Sequence, residues 1–588
     1  MSSTYQHLSS SVVGESNKQA IFSFQFLHNL YKLFSLSQVS SIDKYLLILW
    51  SLLIVSSLLC SYQIILIPGR IYQYLLEGDK ESFVHQLWIL LFWCLWTTCI
   101  RVLRAACQSV LSNRARKYLT EYIQSIYMSN FYQLENQQDA PDNPDQRIVS
   151  DIEQLFELLY QILGGQLGSS GLLEAMLNIG WYSFQTLTRC GVLGIVIAYT
   201  WSIFVGIMET LLVNFVSPWI FQQEVFQAWF RFLHIDLRRN AEYILFQGDG
   251  TFEKHRLQEA LDSVVHNRYR IIVRQLGLNS AQIGYGYLVN LIMYITIGIV
   301  LLQDSYWNLE KDSAKAEWIA QTSGIFISLL YGFTTVIQRG SNLSNLVPVS
   351  TRVSQLLEKL EETMENAPAI SSSVTELKDT SHIKVSDMTV ETFSGRIVLS
   401  KVSFQVEKAG SLLIYGPSGV GKTCILRCLR GLWKPLRGIV VRPPLSDVCY
   451  HGVYFLPERP YLPPNCSFRE QIWYPKRLER ISEQEEQVEI YNLLKSVGLS
   501  YLTDRVGELD CKMDLALLLS AGEKQKLCLA RALYHQPAWI VMDEAICHLD
   551  TESKQAIFNL LRLRGIGFIT VSHDEELKAF HDKILAVS

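Results

Sequence analysis

The chain has 588 residues, a formal net charge of −4 and a charged fraction of 18 %, below the ~25 % of soluble globular domains. Its length exceeds what one domain needs. The near-neutral balance gives no support for nucleic acid as a partner, and the charge deficit sits in long uncharged stretches of the front half.

Residues 1–18 are polar and Ser-rich, unlike a cleaved signal peptide, and are expected to be disordered. Residues 1–40 read as an N-terminal tail. Beyond them, residues 45–69, 82–100, 190–208, 275–303 and 318–338 contain no Asp, Glu, Lys or Arg. Each has the ~20 apolar residues that a spanning helix needs. Five runs of that length argue against core helices of a soluble protein. A weaker candidate, residues 158–188, contains Glu174 and the glycines Gly164, Gly165, Gly168 and Gly171, which suit close helix packing. Residues 41–360 therefore read as a six-helix membrane domain. The connections 101–150 and 216–274 carry six and eight Lys/Arg, against five in the three opposite loops together. That asymmetry puts both long connections, the N-terminus and everything after the last span in the cytosol.

The 12 cysteines form no CxxC pair, which fits buried or free thiols facing a reduced cytosol better than a disulfide framework or a zinc site. Residues 361–382, acidic and Pro- and Ser-containing, read as a linker. From 383 to 588, short apolar runs alternate with helical patterns, the rhythm of a parallel-sheet α/β domain. Neither half shows an internal repeat.

In that domain Gly416, Pro417, Ser418, Gly419, Val420, Gly421, Lys422 and Thr423 form a phosphate-cradling loop between the strand 411–415 and a helix expected over 424–432. The glycines let backbone N–H groups converge on a polyanion. Lys422 reaches the β- and γ-phosphates, and the Thr423 hydroxyl suits Mg²⁺. Further on, Leu519, Ser520, Ala521, Gly522, Glu523, Lys524 and Gln525 precede a helical run. Ser520 and Gly522 would offer a hydroxyl and a backbone N–H at a helix N-terminus, aimed at a phosphate; the alternative is a capped helix without a ligand. The strand 539–542 ends in Asp543 and Glu544. Asp543 suits a water-mediated Mg²⁺ contact, and Glu544 is placed to polarise a water for attack on a γ-phosphate.

The run at 519–525 resembles the LSGGQ signature of the ATP-binding-cassette family, and with the two phosphate motifs it covers nearly the whole chain as six spans followed by one cassette. The resemblance implies the exporter fold and ATP with Mg²⁺ as cofactors. It also implies a second identical or related half-transporter chain, because two such domains sandwich ATP between the loop of one and the signature of the other. It makes His573, after the strand 567–572, the switch histidine on the γ-phosphate. It puts Glu458 where the family has a glutamine that senses Mg²⁺, and Phe393 as the aromatic on adenine, unless Phe393 packs its own strand. Departures at Glu458, Ala521, Ile546, Cys547 and His548 bear on hydrolysis rate more than on ATP binding, and leave room for a regulatory subunit with weak ATPase activity. Asp142, Asn143, Pro144, Asp145, Gln146, Arg147, Ile148 and Asp151 resemble a motif of subfamily D after the second span. The segment from Asn240 through Glu242 and Phe246 to Gly248 resembles that subfamily's loop motif. Tyr62, Gln63, Pro68, Tyr72, His451 and Pro457 are most similar to its lysosomal cobalamin branch, the peroxisomal acyl-CoA carriers being the alternative. The branch implies a small-molecule substrate, an intracellular membrane (lysosomal, otherwise peroxisomal or ER) and a membrane adaptor for targeting.

Overall fold

The computed structural model describes residues 24–36, 40–135, 141–166, 169–248, 250–303, 312–371, 374–376, 382–392, 396–443, 452–476, 483–502 and 509–587. The chain divides into two compact units, one of residues 1–125 with 141–358 and one of residues 126–140 with 359–588.

The first unit is helical: α1 (Phe24–Leu36), α2 (Ser41–Glu77), α3 (Lys80–Glu135, whose last residues belong to the second unit), α4 (Ile152–Gly164), α5 (Leu172–Arg239), α6 (Ala241–Gln247), α7 (Thr251–Gln303) and α8 (Asp312–Ser371). Local chemistry sets the ends of α2. The Ser40 side chain accepts from the Ile42 N–H, and Gly78, left-handed at φ 74°, returns its own N–H to the last turn. Among the described residues five helices are long and apolar enough to cross a membrane. One of these, the 68-residue α5, makes two passes. Its backbone leaves helical values at Gly191 (φ 66°, ψ −166°), and the Ser183 and Tyr199 hydroxyls, sixteen positions apart, lie 3.1 Å from each other. A straight helix would separate them by about 24 Å. Six spans result.

The third span differs from the stretch expected at 158–188. The chain breaks between α4 and α5, and the span begins at Leu172. The glycines make that break: a Cβ on Gly171 would meet the Leu163 carbonyl oxygen at 2.3 Å, and Gly165 has φ +86°. Among the described glycines of this stretch, Gly164 serves close packing, with the Trp50 ring 2.4 Å from where its Cβ would be; Gly168 lies outside the described residues. Glu174 lies in the first turn of the span, buried and paired with Arg104 of α3, while Ser57 of α2 donates to its other oxygen at 3.0 Å. The pairing neutralises a carboxylate that the spans could not otherwise hold. The two long connections are largely helical continuations of the spans; α3 alone has 56 residues, about 84 Å.

In the second unit a five-stranded parallel sheet is ordered β9–β4–β8–β7–β6, from β4 (Ser411–Tyr415), β6 (Val453–Leu456), β7 (Trp539–Asp543), β8 (Gly567–Ser572) and β9 (Lys583–Ala586). A second sheet, ordered β1–β5–β2–β3, holds β1 (Val374–Glu376), β2 (His382–Glu391), β3 (Ile397–Glu407) and β5 (Arg437–Arg442). Strand β8 is buried along its whole length, as a central parallel strand covered on both faces must be. Around the sheets lie α9 (Lys422–Arg430), α10 (Phe468–Trp473), α11 (Glu483–Ser496), α12 (Ala521–Tyr534) and α13 (Thr551–Leu563). The far end of α3 belongs here, with the Trp433 indole N–H donating to the Tyr132 hydroxyl at 3.1 Å.

Candidate functional site

The carboxyl ends of β4, β7 and β8 meet at one edge of the parallel sheet, where ligands of open α/β folds bind. Strand β4 delivers residues 416–421 and α9 follows at once, two residues earlier than the sequence pattern suggests. Two glycines are needed for close approach. A Cβ on Gly416 would meet the Val587 carbonyl oxygen at 2.2 Å, and one on Gly421 (φ +102°) would strike Val398 at 2.4 Å. Gly421 is also the N-cap of α9, with no side chain closing the helix end. The first N–H groups of α9 are thereby directed at whatever the loop encloses. The buried Lys422 side chain folds across the loop, its Nζ donating to the carbonyls of Gly416 (2.7 Å) and Pro417 (2.9 Å).

The Thr423 hydroxyl donates to Asp543 Oδ1 at 3.2 Å. Burial holds the Asp543 carboxyl above its ordinary range, Thr423 lowers it, and the charges of Glu544 and Glu458 raise it further. The register explains the neighbourhood: Leu456 pairs with Met542, so Pro457 and Glu458 leave β6 beside Asp543 and Glu544. Among the described residues no group of three or more His, Cys, Asp or Glu could hold a metal unaided. The donor set still fits Mg²⁺, which takes one or two carboxylates and completes its shell with waters and phosphates.

Glu544 has φ 47°, a left-handed value costing about 1–3 kcal/mol and tolerated where surroundings enforce it. Its N–H donates to the Val571 carbonyl at 3.0 Å, tying it to β8. Because Val571 pairs with Asp543, Glu544 just past β7 and His573 just past β8 come together, with Nδ1 3.2 Å from Oε1. They border a cleft of about 440 Å³ also lined by Cys547, Lys554, Asp574 and Glu575.

Ser520 is the N-cap of α12. Its hydroxyl accepts from the Glu523 N–H at 3.3 Å, and the Glu523 carboxylate accepts from the Ser520 N–H at 2.7 Å and from the Tyr501 hydroxyl at 2.7 Å. A Cβ on Gly522 would lie 3.1 Å from the His548 carbonyl oxygen. Sequence reasoning overlooked Gln525. It accepts from the His548 N–H at 3.1 Å and its amide lies 3.5 Å from Cys547 Sγ, so the signature helix and the turn after Glu544 are one assembly. A glutamine one turn into a helix carries no local signal of such a role. Phe393 lies outside the described residues.

Two family models match the chain: one described as ABC transporter transmembrane region 2 over residues 30–302, the other as ABC transporter over 399–547. The mouse lysosomal cobalamin transporter ABCD4 is 28 % identical, with 89 % of this chain and 88 % of that protein covered. An uncharacterized ABC transporter ATP-binding protein of Synechocystis, sll0182, is 29 % identical over 87 % of this chain and 75 % of that one. Among solved structures, a bacterial Atm1-family ABC exporter with ATP bound has a TM-score of 0.64 at 16 % identity, covering 92 % of this chain and 94 % of the exporter, and shows the fold.

Proposed function

From the premise that this chain belongs to the ATP-binding-cassette transporters, subfamily D, and couples ATP hydrolysis to transport, we propose that it works as one half of a two-chain carrier that exports cobalamin from the lysosome to the cytosol. Lys422 and the N–H groups of the loop bind the β- and γ-phosphates. Thr423 and Asp543 hold Mg²⁺, which when bound neutralises phosphate charge. Glu544 orients and polarises the attacking water, and His573 holds the Glu544 carboxylate in place beside the γ-phosphate. Ser520 and Gly522 face the nucleotide of the other chain.

Pairing of chains is supported by the single phosphate loop and single signature, and by α6. This seven-residue helix exposes Tyr243 (68 %), Leu245 (69 %) and Phe246 (81 %), an apolar tip that calls for a covering partner. Cobalamin is supported by the near end-to-end similarity to mouse ABCD4, the observation that carries this reading. At the end of the second span, Arg104 is paired to Glu174 and Arg101 donates to Ser61. These cations are engaged by the chain's own groups rather than held for the phosphates of an acyl-CoA. The test is ATP-dependent flux in vesicles carrying the purified chain and offered both solutes. Cobalamin movement is expected; acyl-CoA movement with no cobalamin flux overturns the substrate while leaving the transporter intact.

A further inference from the structure

The motif at 142–151 does more than turn the chain. The polypeptide leaves the second unit at residue 140 and re-enters it at residue 359, so the motif lies just past one passage, and Arg352 and Gln355 of α8 lie just before the other. A side-chain cluster joins the two. Arg147, buried at 4 % exposure, donates through Nε to the Asp142 carbonyl at 2.9 Å and pairs with the Asp142 carboxylate. Through Nη1 it donates to the Arg352 carbonyl at 2.7 Å and reaches Gln355 Oε1 at 3.4 Å. Asp151, also buried, lies 3.1 Å from Arg352 Nε. The backbone from Arg147 to Asp151 is a π-helical turn, closed by the Ile152 N–H donating to the Arg147 carbonyl. Such single-turn π insertions are frequent at functional sites.

A turn with an Asp N-cap would need none of this. Asn143 makes no side-chain cap to the short helix that follows, nor Asp151 to α4. A buried guanidinium, moreover, is a poor choice for stability alone, because desolvating it offsets much of what its bonds return. What the arrangement achieves is geometric. A planar fork with donors on both edges fixes two segments, 205 residues apart in sequence, in one register.

We propose that Arg147 is a positioning residue of the transport cycle. Supported by the Asp151–Arg352 pair, it makes the two passages move as one, so that a nucleotide-driven change in the cassette reaches α8 and the start of α4 together. The inference rests on the transporter family and holds for any solute carried.

Hydrogen–deuterium exchange on the purified full-length chain in lipid nanodiscs, with and without MgATP plus orthovanadate, tests it through a readout that needs no substrate. In the unsubstituted protein, peptides covering 422–430 and peptides covering 341–358 both change on trapping. In Arg147→Lys the change at 422–430 stays and the change at 341–358 falls about five-fold or more, because lysine keeps the charge but not the fork. Asp151→Asn, which removes one charge without altering size, gives the same dissociation to a smaller degree and serves if Arg147→Lys does not fold. An undiminished response at 341–358 in both variants overturns the proposal. Loss of the response at both places in both variants also overturns it, since that marks a general folding role.

Discussion

The cassette carries two helix N-termini suited to a phosphate, and they are finished in opposite ways. At α9 the N-cap is Gly421, no side chain closes the end, and the buried Lys422 spans loop carbonyls that lie beside the cradle. At α12 the N-cap is Ser520 and the end is closed by a reciprocal box with Glu523, on an exposed surface. Helix N–H donors must be satisfied. The first end leaves that task to a ligand enclosed by its own chain. The second has its Glu523 and Ser520 N–H groups satisfied at rest by the box, and presents the remaining turn as a preformed surface. In the proposed two-chain carrier, one half of the site is a container and the other a lid for the partner's container.

The largest expected effect falls on the container side. Glu544→Gln keeps size and hydrogen bonding but removes the charge that polarises water, so hydrolysis should fall about 10²-fold or more. Nucleotide affinity, measured by equilibrium binding, should hardly change. Comparable losses in both would place Glu544 in binding rather than turnover.

Glu458→Gln sharpens the electrostatic contrast. Glu458 adds negative charge beside an Asp543 already held high by burial. Its removal should raise ATPase activity at limiting Mg²⁺ by about three-fold, under 1 kcal/mol, as expected for an exposed charge. A flat response across a Mg²⁺ titration would remove Glu458 from the metal's surroundings. A fall would mean that its carboxylate serves as a ligand.

The smallest effect concerns the scaffold of the cleft. Lys554 donates to Asp574 at 2.7 Å and depresses the Asp574 carboxyl. A group whose folded pKa is depressed contributes stability above its unfolded value, and that contribution fades as pH falls through the folded one. Lys554→Met should therefore cost about 1 kcal/mol at neutral pH. The melting difference should shrink on acidification below the ordinary carboxylate range; a difference independent of pH would assign the loss to packing.

How much of this was legible in the sequence follows the same division. The phosphate loop could be read because its residue types and spacing are contiguous in sequence, even though the contacts that demand Gly416 and Gly421 come from the distant Val587 and Val398; the spans could be read because charge is excluded over a length set by the bilayer. The start of the third span could not be read. Gly164 to Gly171 look alike in sequence, yet Gly164 packs on Trp50 while Gly165 and Gly171 break the helix. The reversal at Gly191 was hidden inside an unbroken apolar run, since hydropathy does not record a change of direction. The Arg104–Glu174 pair and the reach of Arg147 to α8 join residues 70 and 205 apart, beyond any local pattern. Gln525 was missed because its partners, Cys547 and His548, lie in the very turn whose departures from the family pattern drew attention to themselves.

In the proposed two-chain carrier, container and lid belong to different chains. The direct measurement uses two tagged variants, Lys422→Ala, which damages the container, and Gly522→Asp, which puts a charge and a side chain against the His548 carbonyl in the lid. Each purified alone should trap almost no nucleotide with vanadate. A heterodimer isolated through both tags contains one undamaged container facing one undamaged lid, and should trap about one nucleotide per pair of chains. No trapping by the heterodimer, or full trapping by Gly522→Asp alone, would contradict the account.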